Sequence, residues 1–333
     1  MVVLGGYVRL TRSGLSIVEW NPVSGVVPPL NSSDWEQEFT KYKSSPEFIK
    51  INFAITLEQF KEIFFLEWIH RFIARLVGLI FAVPFFIFLF NRTIPVKEVK
   101  PYIFMGLLFL AQAVMGWLMV SSGLVDRPSV SHYALTAHLL LAFVLIGLAF
   151  WTALDLLYTP ATKSSRFSSS SKLFVLILGI LLVEVMYGAL TAGLKAGHVS
   201  NTWPLMLGKF VPDGLLSQVQ SPLLNFLESP LTVMFVHRWL AFLVLAAVTR
   251  FYWINRKRRF SIELRFGLGL AVGLTILQIF LGVMVVIYNV NLALALIHQA
   301  NAICLFVVLL FNLHRLRAVD SGAPYFKGWE ESR

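Results

Sequence analysis

An all-α, multi-pass membrane protein is the fold class this chain predicts, and three observations carry it. Of its 333 residues 57% are apolar and only 14% charged, with a mean hydropathy of +0.73, far from the composition of a soluble domain. Predominantly apolar runs recur at 68–90, 102–121, 133–157, 173–193, 231–254, 264–288 and 292–313, each near the roughly 20 residues a helix needs to cross a bilayer. Basic residues gather in every second connection between those runs. Helices follow because runs this long can satisfy their backbone groups in lipid only internally.

The chain opens on part of a span. Val2 to Tyr7 is apolar, but Arg9 and Arg12 follow at once, so about nine residues fall short of the roughly 30 Å hydrocarbon core. The internal repeat described below expects about twelve more residues upstream for a full eighth span, with Met1 read as a late start or a truncation. The opening segment is too brief for a signal peptide. The expected architecture is two repeated four-helix transmembrane bundles, eight spans with the first truncated at its N-terminus. The halves are 1–160, with a long outer loop at 15–63, and 161–333.

Charge sets the orientation. Arg92, Lys97 and Lys100 follow the first full run, and Lys163, Arg166 and Lys172 follow the third. Arg256, Lys257, Arg258, Arg259 and Arg265 follow the fifth, and Arg315 and Arg317 follow the last. The intervening connections hold only Arg127, Lys195 and Lys209, so the first group faces the cytoplasm or matrix. The net charge of +10 is therefore a membrane signal. No single basic face is built for nucleic acid, and that partner is excluded. Cys304 is the only cysteine, which rules out a disulfide or a paired-cysteine site within the chain.

An internal duplication organises the rest. His70-Arg71 matches His237-Arg238, Gln112 and Gly116 match Gln278 and Gly282, and Ala137-His138 matches Ile297-His298. The stretch from Gly5 to Pro22 resembles that from Tyr187 to Pro204, a register that pairs Ser16 with His198 and Val2 with Glu184. Parallel repeats place equivalent residues about a shared axis. His70, His138, His237 and His298 then fall near the outer ends of four spans, two per half. A membrane interior offers few other iron ligands, and two facing imidazoles make an axial pair for a heme. Two imidazoles per site, without further ligands, fit a tetrahedral zinc poorly.

The halves differ in one respect. Glu67 lies three residues before His70, on the same helix face, and Arg71 can pair with it while Arg71, Arg75 and Arg238 are candidates for contacts to a heme propionate. The second half has Met234 in place of Glu67 and Phe242 in place of Arg75. A reacting site beside an electron-holding site is the expectation. His132, His198 and His314 read as ordinary, and Glu184, an acid inside a span, should face the bundle or water, with proton transfer and simple pairing equally open. In the outer loop, 34–42 reads as a short amphipathic helix capped by Ser32-Ser33, either a surface element or a cover for the first-half site.

Together these stretches resemble the heme A synthase family, in its long-loop form. The resemblance is carried by Gly6 to Pro22, Pro28-Pro29 with Trp35 and Phe39, Glu67-Trp68-Ile69-His70-Arg71, Ala137-His138-Leu139, Asn201 to Met206, His237-Arg238 and His298-Gln299. It implies an oxidoreductase that converts the C8 methyl of heme O to a formyl group. His70 and His138 would hold substrate heme O, His237 and His298 a resident heme B, and Glu67 would act at the methyl as proton acceptor or stabiliser of positive charge. The resemblance implies heme O synthase as donor, a role in cytochrome oxidase assembly, an electron acceptor the sequence does not identify, membrane lipid around the spans, and a homo-oligomer among the candidate states. The expected location is a bacterial plasma membrane, with the mitochondrial inner membrane as the alternative. Two other functions fit four histidines: a non-enzymatic, quinol-linked two-heme electron carrier, which has no need of Glu67, and a heme transporter.

Overall fold

The computed structural model describes residues 1–125, 128–158 and 168–320. Arg127, Lys163 and Arg166, and the expected boundary of the halves at 160, lie outside them. Seven helices are long and apolar enough to span a membrane, and among the described residues an isolated Met206 to Lys209 bridge is the nearest approach to a strand. The chain is an all-α, multi-pass membrane protein. It forms two compact units, Met1–Ala142 and Phe143–Arg333.

The first unit begins with α1 (Val2–Leu10), nine residues with Arg9 in the last turn and too short to span. The outer loop carries α2 (Ser32–Lys43) and α3 (Pro46–Lys50). The cap of α2 is Asn31, whose side chain accepts from Asp34 N at 2.9 Å, rather than the expected Ser32-Ser33, which are already helical. Asn31 takes the role because it alone has extended backbone while its short carbonyl reaches the third amide.

Helix α4 (Leu57–Phe90) starts eleven residues before the expected 68, at a Thr56 and Gln59 capping box. Those extra turns are amphipathic. Phe60 and Phe64 on them bury against Trp35, Phe39 and Tyr42 of α2, with Trp35 edge-on to Phe64 at 5.1 Å and Tyr42 stacked on Phe60 at 5.0 Å. The outer loop is thus a small aromatic-cored cap seated on the outer end of α4. Helices α5 (Lys100–Gly123) and α6 (His132–Leu157) complete the spans, the unit boundary falling within α6.

In the second unit, α7 (Ser169–Gly193) packs on α9 (Pro230–Asn255), α9 on α10 (Ile262–Ile287), α10 on α11 (Leu292–Asp320), and α11 back on α7. Four helices close into a ring. Its tight end is the basic one, where Phe174, Ile177 and Leu181, Val244, Val248 and Phe251, and Leu264, Leu268 and Ala271 bury stripes at helical spacing. Phe174 meets Phe251 edge-on at 4.8 Å. The α7 to α9 connection includes α8 (Asn225–Glu228) and is organised by Asn225. That buried amide accepts from Gln218 N and Val219 N and donates to Leu216 O, Val219 O and Ser221 O.

Helix α11 runs past the expected end at 313. Arg315 is buried beneath Tyr158, 4.4 Å from its ring, and His314 is buried with Nε2 2.8 Å from Asp155 Oδ1. Neither is a free residue of a basic connection, because a helix continuing into the packed end of the unit carries both inward.

Candidate functional site

Each of the four repeat-related histidines lies against a glycine of a neighbouring helix. A Cβ at Gly5 of α1 would stand 3.1 Å from His70 Nε2, and one at Gly116 of α5 would stand 3.5 Å from His138 Cε1. In the second unit the corresponding distances are 3.2 Å from Gly188 of α7 to His237 Cε1 and 3.1 Å from Gly282 of α10 to His298 Cε1. Glycine permits this approach because it presents no side chain to the ring.

In the second unit the two rings face each other with centres 6.4 Å apart and planes at 87°. Two imidazoles each bound through nitrogen at about 2 Å to a shared metal have ring centres roughly 6 Å apart. The spacing fits a shared metal, which His237 of α9 and His298 of α11 would hold between them. Among the described residues no cluster of three or more His, Cys, Asp or Glu could enclose a metal ion, so what the second unit offers a metal-bearing group is a pair of imidazoles. Gln278 reaches His298 Nε2 at 3.2 Å and accepts from Asn301 at 2.7 Å, while its counterpart Gln112 donates to His138 O at 3.1 Å. In the first unit His70 and His138 lie within electrostatic range of one another.

Glu67 is buried, with both oxygens engaged. Oε2 accepts from Ser16 N at 2.8 Å, Ser16 Oγ at 2.7 Å and Ile17 N at 2.9 Å, and Oε1 accepts from Arg71 at 2.6 Å. Arg71 also donates to the carbonyls of Ile17 and Glu19, and Arg75 to those of Asn21 and Pro22. The start of the outer loop is in this way tied down beside His70 by one acid and two arginines. Arg71 and Arg75, expected at propionates, both spend donors on this loop. Two N–H groups, Arg75 Nη1 and Arg238 Nε, remain buried without a protein partner, and these suit an incoming carboxylate.

The second unit repeats the clamp. Arg238 donates to Ser200 O at 2.9 Å and Thr202 O at 3.0 Å, as Arg71 does to Ile17 O and Glu19 O. Left-handed backbone at Arg12 (φ 56°) and Lys195 (φ 55°), and the glycines Gly5 and Gly188, keep the same spacing of 183. This corrects the register read from residue types, in which aligning Gly6 with Gly188 slipped by one. Glu184 corresponds to Met1 rather than Val2, and His198 to Leu15 rather than Ser16. The slip arose because the repeat is held by backbone carbonyls, whose residue types vary freely. Where the first unit has Glu67 and Arg75, the second has Met234 in an apolar cluster with Met206 and Leu231, and Phe242 stacked on Trp203 at 5.9 Å.

Glu184 pairs with His237, its Oε1 2.9 Å from Nδ1. Sequence placed both residues in spans, but their helices meet only in three dimensions. His198 sits 3.4 Å from Asn289 Oδ1 and His132 lies against Tyr133; neither joins a histidine pair. Ser16 was missed as a partner of Glu67, and only its place in the matched Gly6 to Pro22 stretch pointed to it.

A family model described as COX15-CtaA, cytochrome oxidase assembly protein, matches residues 1–310. The chain belongs to this family. Proteins named Heme A synthase are similar to it along nearly their whole length. That of Parvibaculum lavamentivorans is 43% identical over 95% of this chain and 90% of its own. That of Wolbachia pipientis wMel is 41% identical over 95% and 89%, and that of Flavobacterium johnsoniae 38% over 95% and 93%. Within the COX15-CtaA family, then, this chain supplies two histidine pairs on spanning helices and an acid beside one of them.

Proposed function

We propose that the chain is a heme A synthase, an oxidoreductase that takes heme O as substrate and oxidises its C8 methyl, through successive hydroxylations, to the formyl group of heme A. The observation that carries this reading is the His237 and His298 pair, with ring centres 6.4 Å apart, in a chain that has His70 and His138 at the repeat-equivalent positions, a buried acid one turn before His70, and relatives that carry that name. The division of labour places heme O between His70 and His138 in the half spanning 1–160, and a resident heme B between His237 and His298 in the half spanning 161–333. A heme bound there supplies a one-electron couple.

The chain's own residues hold and orient. His70 and His138 fix the substrate iron, Arg75 Nη1 and Arg238 Nε offer donors to propionates, and Glu67 stands at the reacting side. Both Glu67 oxygens already accept bonds, which favours electrostatic stabilisation of developing positive charge over proton acceptance. Heme O synthase is the proposed donor, in the course of cytochrome oxidase assembly. The bacterial relatives support a plasma-membrane location.

Extraction of pigment from the purified protein, with chromatographic separation of hemes B, O and A, tests the assignment. Hemes B and A are expected from the wild type. Glu67→Gln is expected to keep both sites loaded while formyl-heme yield falls by at least tenfold; an unchanged yield would remove Glu67 from the reaction, and a wild type that yields no heme A would favour the two-heme electron carrier instead.

A further inference from the structure

The acid in α7 has no part in the scheme above, yet it is the one carboxylate that touches a presumed iron ligand among the described residues. Glu184 and Gly188 are one helical turn apart and share a face. Gly188 lets the His237 ring settle against α7, and Glu184 Oε1 then lies 2.9 Å from Nδ1. The distance is that of an ion pair or a hydrogen bond, although in the present ring orientation the His237 Nδ1–H does not point along it. The Nδ1 atoms of His138 and His298 are buried too, but have no carboxylate within ion-pair distance among the described residues. At the position equivalent to Glu184 the first unit has Met1, so the duplication does not reproduce the contact. A carboxylate in a span is costly, on the order of 2.5 to 3.5 kcal/mol on insertion scales, and a helix with no use for one would carry an apolar residue there.

We propose that Glu184 is a positioning residue for His237, accepting its Nδ1 proton so that Nε2 faces iron and the ring becomes a stronger electron donor. This rests on the reading of His237 and His298 as axial ligands. A carboxylate behind a ligating histidine fixes its tautomer and orientation and raises its basicity, and a more basic axial ligand stabilises the ferric state. The second-unit heme is thereby held at a lower potential than its paired histidines alone would give. The two sites of one duplicated scaffold become electronically unequal through a residue outside both pairs of ligands.

The test is a redox titration of the full-length purified protein, following the low-spin visible and electron paramagnetic resonance signals at one pH. Glu184→Gln keeps an acceptor and removes the charge. It is expected to raise the ferrous-to-ferric ratio at fixed potential by at least tenfold, about 59 mV for a one-electron couple, and to move the signal of that heme alone. Glu184→Asp, with the charge on a shorter arm, is expected to fall between twofold and tenfold. A change below twofold in Glu184→Gln with heme retained overturns the proposal. If that variant loses heme, Glu184→Asp decides by the same twofold limit. His237→Leu separates the underlying reading: a low-spin signal that survives it removes His237 as a ligand, whatever Glu184 does.

Discussion

Ser16 and Glu67 are joined twice, the amide and hydroxyl of the serine both donating to the same carboxylate oxygen, at 2.8 and 2.7 Å. The acid expected to act on substrate is thus also the anchor of the outer loop, and its position relative to His70 is set by the loop as much as by α4.

Ser16→Ala removes one of these bonds and leaves the backbone donors in place. A hydrogen bond to a charged group contributes about 1.5 to 3 kcal/mol, so the loop should open measurably. Faster proteolysis within 15–63, with formyl-heme yield lowered several-fold and spectra of the second-unit heme unchanged, is the expected result.

Arg238→Lys keeps the charge but cannot span the carbonyls of Ser200 and Thr202 as a planar fork does. Hydrogen exchange of 198–206 should rise, and heme retained through purification should fall. Equal exchange in variant and wild type would show that the clamp is not what orders this segment.

Gly282→Ala places a methyl about 3.1 Å from His298 Cε1, closer than ordinary van der Waals contact of roughly 3.5 to 4.0 Å. The ring must shift by a few tenths of an ångström. A changed low-spin resonance spectrum is expected at near-normal protein yield, whereas Gly179→Ala, on a glycine with open space around it, should leave the spectrum alone.

The cap should respond to alkali. Burial pushes the Tyr42 phenol up, while Asn52, donating to its oxygen at 2.8 Å, opposes the shift. With the folded value above the unfolded one, which is about 10, the stabilisation is fully present below that pH and is lost as pH rises through the folded value. Tyrosinate absorbance coinciding with proteolysis of α2 above about pH 10 is expected in the wild type, and Tyr42→Phe should shift that proteolysis to higher pH.

Spans and fold class were legible in sequence because each rests on a strong local signal, the long apolar run, and the meeting of His237 with His298 was foreshadowed by a repeated residue type. Gln112 with Gly116 and Gln278 with Gly282 were visible as matches, although their task, seating the rings of His138 and His298, appears only once helices are packed. What stayed hidden depends on backbone atoms or on distant chain. The carbonyl clamps of Arg71 and Arg238 leave no residue signature, which is why the first register slipped by one. The Glu184 to His237 contact joins helices whose order of packing no periodicity reveals. The outer turns of α4 were read as loop because Glu58, Lys61 and Glu62 break the hydropathy that marks a span, although Thr56 and Gln59 carry a capping signature.

Helix α4 runs 34 residues without a break, about 50 Å at the helical rise, with the aromatic cap at one end and His70 partway along. Cap and His70 therefore ride on the same outer stretch of one helix, ahead of Pro84. The cap is thus continuous with the backbone that carries the imidazole, and what fixes the one in place outside the apolar run also fixes the angle of the other.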